Sequence, residues 1–311
     1  MTLEELRRRL RLPLIVAPMF LLSGPELVIA AAQAGVIGAF PSINARSAEE
    51  FESWLERIVR ETDGGLYAVN LIVRSAGDAR YESDLALIER FRPPLVITSV
   101  GQPQMAAERI HRHGGLVFHD VATLRHAVKA IEAGVDGLIL LTAGAGGHTG
   151  TANAFAFAAQ VRRIWQGAML MAGGIGDGAS LLAAQAMGAD IAYMGTRFAA
   201  TRESLAAPEY KDLLVSQAMA DVITTDRISG MTATFLKGSI ERAGLDPASL
   251  PERLGVFKPA IAPHIKAWRD VWSAGHGVGL IDDVPSVAML IDRLETEYRA
   301  ARAALAVRCT P

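Results

Sequence analysis

The sequence predicts a closed (β/α)8 barrel of the TIM type, with a helical excursion after the eighth strand and a C-terminal helix. Three observations carry this. Eight short, nearly all apolar runs alternate with longer amphipathic stretches in the first two-thirds of the 311 residues. The runs lack a polar face, as expected of parallel strands covered on both sides. No G-x-G-x-x-G opens the first helical stretch, which disfavours the rival open, doubly wound sheet.

Taken in order, the expected strands are 14–17, 36–40, 66–71, 95–100, 116–119, 137–141, 168–172 and 191–194. Helical patterns occupy 24–34, 48–61, 83–91, 105–113, 122–133, 154–165 and 178–187. The stretches AIEAGVDGLILL (130–141) and AQAMGADIAYMG (184–195) repeat one plan: an Ala-rich helix, a glycine, an Asp, an apolar strand. Gly134 and Gly188 suit the left-handed residue that ends a helix. Beyond residue 200 the rhythm breaks. Residues 205–283 read as a helical, lid-like excursion, and 284–305 as a last amphipathic helix packed on the barrel. Without a Pro/Ser linker, the whole of 1–311 reads as one domain.

Composition narrows the function. Half of the residues are hydrophobic, 21% are charged and 6% are aromatic, which supports a large core of small side chains. A net charge of −2 and the absence of a basic stripe argue against nucleic acid. MTLEELRRRL reads as a short helix with acids first and bases last, matching the helix dipole. The single cysteine, Cys309, permits no internal disulfide. No signal-peptide pattern opens the chain, and the apolar stretch 12–22 holds two prolines and is too short to span a bilayer. The expectation is a cytoplasmic enzyme with no membrane partner. The residues leave oligomeric state open, homo-oligomer included.

Barrel enzymes carry their chemistry at the C-terminal ends of the strands. There, LTAGAGGHTG (141–150) places His148 among glycines that suit neither core nor helix. An imidazole presented by such a loop titrates near neutrality and suits a catalytic base. MAGGIGDG (171–178) and YMGTRF (193–198) follow the seventh and eighth strands, where bare amides bind phosphate. Gly173, Gly174, Gly195 and Thr196 are the candidates. APMF (17–20) offers an apolar seat for a flat ring at Ala17, Pro18 and Met19, and Asn70 either binds a ring edge or ties down a loop. His119 and Asp120 end the fifth strand and are candidate pocket residues. WSAGHGVGL (272–280) brings His276 to the mouth or is a plain turn. The H-x-H of His111 and His113 lacks acidic companions, so no metal is expected.

Together these residues resemble the nitronate monooxygenase family, FMN-dependent (β/α)8 enzymes. AGGH (145–148) resembles its histidine motif, and AGGI (172–175) and MGTRFAATRE (194–203) its phosphate loops. APM (17–19) and VNL (69–71) resemble its first and third strand ends. The resemblance runs from Leu12 to about Leu205, with a weaker match at 272–281. It implies an FMN phosphate on Gly173, Gly174, Gly195 and Thr196. It implies a flavin ring near Ala17, Pro18, Met19 and Asn70, with Gly146 and Gly147 close by. It implies His148 as the base that deprotonates a nitroalkane or orients a nitronate, with molecular oxygen as final acceptor. Leu141 and Gly144 depart from a more polar motif, and Asp120 stands where a basic residue is common. The same FMN barrel also serves NAD(P)H:quinone and enoyl-thioester reductases, the alternative reading.

Overall fold

A computed structural model describes residues 1–75, 77–252, 255 and 258–308, so Cys309 lies outside the described residues. The barrel strands are β1 (Leu14–Val16), β2 (Ile37–Pro41), β3 (Tyr67–Ile72), β4 (Leu95–Ser99), β5 (Leu116–Val121) and β6 (Gly137–Leu141), followed, after a two-residue strand β7 (Gly147–His148), by β8 (Ala168–Ala172) and β9 (Ile191–Met194). They pair in parallel as β1-β2-β3-β4-β5-β6-β8-β9 and close through β9 on β1, Ile15 opposite Tyr193. All eight expected strands are present, each within two residues of its predicted bounds.

The two-residue side-chain period splits the apolar runs between two cores. Ile15, Ile37, Ala39, Ala68, Ile97, Phe118, Ile139 and Leu170 fill the interior. Val16, Phe40, Val69, Val96, Val117, Leu138 and Met169 face the helices. Those helices are α2 (Pro25–Gln33), α3 (Ala48–Thr62), α4 (Ala79–Phe91), α5 (Gln104–His111), α6 (Leu124–Glu132), α7 (Ala154–Arg162) and α8 (Gly178–Ala186), preceded in the chain by α1 (Leu3–Arg8). The reciprocal cap of Thr2 and Glu5 starts α1, and the fully buried Leu6 packs into the interior core.

The repeated Gly–Asp plan has a physical basis. Gly134 and Gly188 adopt φ of +77° and +92°, where a side chain would be strained. The following Asp136 accepts the Val117 N–H at 2.8 Å, and Asp190 accepts the Met169 N–H at 2.9 Å. Each carboxylate thus satisfies a donor near the start of the preceding barrel strand. The H-x-H histidine His111 bonds Asp136 at 2.8 Å. Among the described residues, no three His, Cys, Asp or Glu side chains form a metal cluster.

The excursion corrects the sequence reading. After α9 (Thr196–Ala199), it contains α10 (Pro208–Ser216) and α11 (Lys237–Arg242) and also the antiparallel strands β10 (Val222–Thr225) and β11 (Ala233–Leu236). The reading of 205–283 as helical is incomplete: the β-branched VITT pairs with ATFL, and ATFL pairs in turn with β7. They cover a small core of Ile228, Phe235, Ile240 and Val271. The last helix, α12 (Val287–Arg308), lies against α8 so closely that a Cβ on Gly178 would come within 2.2 Å of the Tyr298 nitrogen. No described helix is long and apolar enough to cross a membrane.

Gly137 faces the barrel interior, where a Cβ would approach the fully buried Phe118 ring to 2.4 Å. Gly137→Ala is expected to destabilise the protein by about 1–3 kcal/mol through overpacking. Urea unfolding measures this; an unchanged midpoint would refute such tight interior packing.

Candidate active site

A cavity of about 370 Å³ opens at the C-terminal ends of the barrel strands. Its walls include Ala17, Pro18, Met19, Asn70, Gly146, Gly147, His148, Gly173, Gly174, Gly195 and Thr196. The structure therefore gathers every candidate cofactor residue, and the candidate base, around one space. Ala17, Pro18 and Met19 follow β1 and give an apolar wall. Asn70 projects inward from β3 and is buried. Its amide donates to the Ile97 carbonyl at 3.0 Å and to Ser99 Oγ at 3.1 Å. The Ile97 carbonyl can only accept, which fixes the amide nitrogen on that side. The Asn70 side-chain oxygen is left as an acceptor with no partner among the described residues.

The glycine loops form the opposite end. The N-terminus of α8 is already satisfied: Asp177 caps Ser180, and the Gly178 N–H donates to Glu297 Oε2 at 2.9 Å. The expected contribution of that helix end to an anion site is thus taken by the protein itself. What remains is the loop before it. Among the described residues, the Gly174 and Ile175 amides have no protein acceptor. Gly173 adopts φ +123°, and a Cβ there would meet Thr142 Oγ1 at 2.3 Å. After β9, Gly195 precedes α9 without a side-chain cap, so the first amides of that turn are open. Thr196 Oγ1 accepts the Gly275 N–H at 2.8 Å and keeps its own hydrogen to donate. Arg197 turns away, buried, and donates to Asp283 Oδ1 at 2.7 Å.

His148 is not on a free loop, contrary to the sequence reading. Gly147–His148 pairs as an antiparallel strand with β11, His148 opposite Ala233 and Gly147 opposite Thr234. Thr149 N–H donates to the Thr232 carbonyl at 3.2 Å, and Gly147 N–H donates to Ser273 Oγ at 2.8 Å. The +76° of Gly147 lets a two-residue strand fit the bend within the glycine-rich segment. The imidazole stands at the mouth, where water reaches it, edge-on to Trp268 at 5.4 Å and 88°. Surrounding protein displaces part of its hydration and holds its pKa below the ordinary value, so the ring is neutral at pH 7. Neither ring nitrogen has a partner among the described residues.

The three remaining candidates separate. Asp120 points from β5 into the cavity. Its Oδ1 is buried without a hydrogen-bond partner, and burial pushes the carboxyl up to about 7. Tyr193 lines the cavity beside it, and burial together with Asp120 pushes the phenol well above its usual range. His119 does not line the cavity. One residue earlier on the strand, it faces outward and bonds Thr98 Oγ1 at 2.9 Å. Burial lowers it to about 4, so it is neutral. The reading that grouped His119 with Asp120 ignored the alternation of faces. The His276 side chain is likewise outside the lining. It packs over Gly144, while the flanking Gly275 and Gly277 reach the cavity through backbone.

Sequence reasoning missed several wall residues: Val100, Tyr193, Tyr210, Trp268 and Ser273. Tyr193 sits in an apolar run whose inward parity was readable once the barrel was assumed. Tyr210, Trp268 and Ser273 carry no local signal, since they arrive from the excursion.

A closed parallel barrel with glycine loops after its last two strands and a histidine at its mouth defines a (β/α)8 barrel of the enzyme type. A family model described as nitronate monooxygenase matches residues 66–297. The solved nitroalkane oxidase from Streptomyces ansochromogenes superposes with a TM-score of 0.82 at 26% identity, covering 97% of this chain and 99% of that one. A nitronate monooxygenase from Pseudomonas aeruginosa is 26% identical, over 89% of this chain and 94% of its own. An octahydroindene carboxyl-CoA dehydrogenase from Rhodococcus jostii is 29% identical over 75% of this chain, and the match spans 65% of that relative's length. The chain belongs to the nitronate monooxygenase family.

The Asp120 carboxyl is raised on folding from 3.8 to about 7. A raised carboxyl leaves stability intact below the unfolded pKa and removes it as pH climbs through the folded one. Asp120→Asn is therefore expected to be more stable than the parent by about 2–4 kcal/mol at pH 8, and equal to it near pH 4. Denaturant unfolding at the two pH values tests this; a difference independent of pH would contradict a buried, unpartnered acid.

Proposed function

We propose that this protein binds FMN and oxidises alkyl nitronates with molecular oxygen, with His148 as the base that removes the proton beside the nitro group. The observation that carries the reading is one cavity that joins a neutral, unpartnered imidazole to two glycine loops rich in free amides.

The residues fit a flavin mononucleotide. Gly173, Gly174, Gly195 and Thr196 would hold the phosphate, because bare amides and a hydroxyl supply donors without a side chain in the way. Gly146 is similarly tight: a Cβ there would stand 3.0 Å from both Thr196 Oγ1 and the Gly275 nitrogen. Ala17, Pro18 and Met19 would seat the ring, and Asn70 would offer its free oxygen to a ring N–H. When bound, the flavin supplies the electron acceptor that a side chain lacks.

The protein's own part is proton handling and exclusion of water. His148 accepts the α-proton of a neutral nitroalkane on a free ring nitrogen, leaving the nitronate. Its depressed pKa keeps it able to accept down to a lower pH than a free histidine. Trp268 limits the ring's motion from one side, and β11 fixes its backbone from the other.

The second reading, NAD(P)H-dependent reduction of a quinone or an enoyl thioester, is favoured by one observation: the Rhodococcus jostii relative is named for a carboxyl-CoA compound. Anaerobic mixing with NADH separates the two, since rapid bleaching of a yellow protein favours reduction.

His148→Ala is expected to lower kcat/KM for a neutral nitroalkane by 10²–10⁴-fold, and to spare a preformed nitronate to a much greater degree. In the parent, the rate on the neutral nitroalkane should rise with pH through a pKa below 6.5. Steady-state oxygen consumption over pH 5–9 reads both. Equal losses on the two substrates would remove His148 from the base role. A colourless protein with no releasable FMN would remove the function.

A further inference from the structure

A second, larger cavity of about 780 Å³ adjoins the first. The two share three wall residues: Val100, His148 and Trp268. Most of the rest of the second is lined by apolar side chains of the excursion, among them Met231, Ile261 and Ile265. Its formally charged lining residues among those described are Lys258 and Lys266, both cationic and both exposed. Neither ammonium has an ion-pair partner among the described residues, and no carboxylate joins them in the lining.

The junction is strained. Val100 and Trp268 hold φ of +62° and +72°. Left-handed backbone is uncommon in a bulky residue and a genuine outlier in a β-branched one. Such conformations persist where surrounding structure imposes them, and they gather at functional sites. Here both outliers line both cavities together with His148, Trp268 meets the imidazole, and Val100 leaves half of its surface exposed.

Volume adds the third constraint. A cavity of about 370 Å³ is near the lower end for one drug-sized ligand. A nucleotide seated there leaves room for little more than the reacting end of a substrate. A short nitroalkane needs nothing further, so the apolar space beyond His148 is surplus to it.

We infer that the outer cavity is a substrate vestibule, which takes the apolar body of an elongated substrate and holds an anionic tail, carboxylate or phosphate, on Lys258 and Lys266. The reacting carbon passes between Val100 and Trp268 to His148. This rests on the function proposed above for the identity of the reacting end, but not for the vestibule itself. Lysines act here as flexible point charges, suited to a tail that selects orientation and not detailed shape.

The test compares nitrooctane with the same chain carrying a carboxylate on the far carbon, as the ratio of their kcat/KM values. The parent should prefer the carboxylate by about tenfold. Lys258→Glu combined with Lys266→Glu should abolish that preference, and the paired Gln variants should reduce it by an intermediate factor. Raising salt should also shrink it, since the contact is exposed. Calorimetric titration with octanoate gives a readout independent of turnover, with binding expected to weaken about tenfold in the double Glu variant. A yellow, nitroalkane-oxidising protein with the same ratio in parent and double Glu variant overturns the vestibule and leaves the function standing. A flavin-free protein that binds octanoate and loses it in the double Glu variant does the reverse.

Discussion

The pairing of Gly147–His148 with Ala233–Thr234 is the contact on which the site depends. A loop carrying four glycines in ten residues would otherwise sample many conformations, because glycine imposes almost no backbone restriction. Two ladder positions, the Thr149 N–H on Thr232 and the Gly147 N–H on Ser273 tie it down. Thr234 Oγ1 adds a bond to the Ala145 carbonyl at 2.9 Å, so the same strand grips the loop on both sides of its bend. The barrel thus provides the cavity, and the excursion provides the precision of the imidazole.

The support for that strand runs outward. Ser273 donates to the Thr234 carbonyl at 2.6 Å, and its backbone N–H donates to the Tyr210 hydroxyl at 3.1 Å. Tyr210 stacks on Trp272 at 4.9 Å, and the Arg242 guanidinium lies over the far indole at 4.3 Å. Phe235 on β11 stacks on Trp268, which in turn meets His148 edge-on. Two aromatic supports therefore lead from the hydrophobic side of the excursion to one titratable ring. Aromatics are scarce in this chain, and four of them are spent here.

The cavity separates its charges by solvation. His148 is kept neutral at the wet rim, while burial without a partner lifts the Asp120 carboxyl to about 7, so that it titrates near neutrality. An ionised Asp120 next to the buried Tyr193 would raise the cost of losing the phenol proton. Below pH 7 the floor of the cavity therefore holds little fixed charge, and above it an unpaired carboxylate.

The sequence by itself determined the barrel, since apolar runs of strand length can be buried on both faces only between helices, and eight of them favour closure. It also determined the glycine loops, because those backbones exclude side chains whatever their surroundings. After that, parity along β5 was needed to send Asp120 inward and His119 outward, and parity is legible only once strand register is known. Tertiary structure alone decided what covers the mouth. VITT and ATFL become strands only by pairing with each other and, for ATFL, with β7, and Trp268, Ser273 and Tyr210 become site residues only because the excursion folds back onto the His148 loop. Local pattern records which residues prefer water; it does not record which distant segment will exclude it.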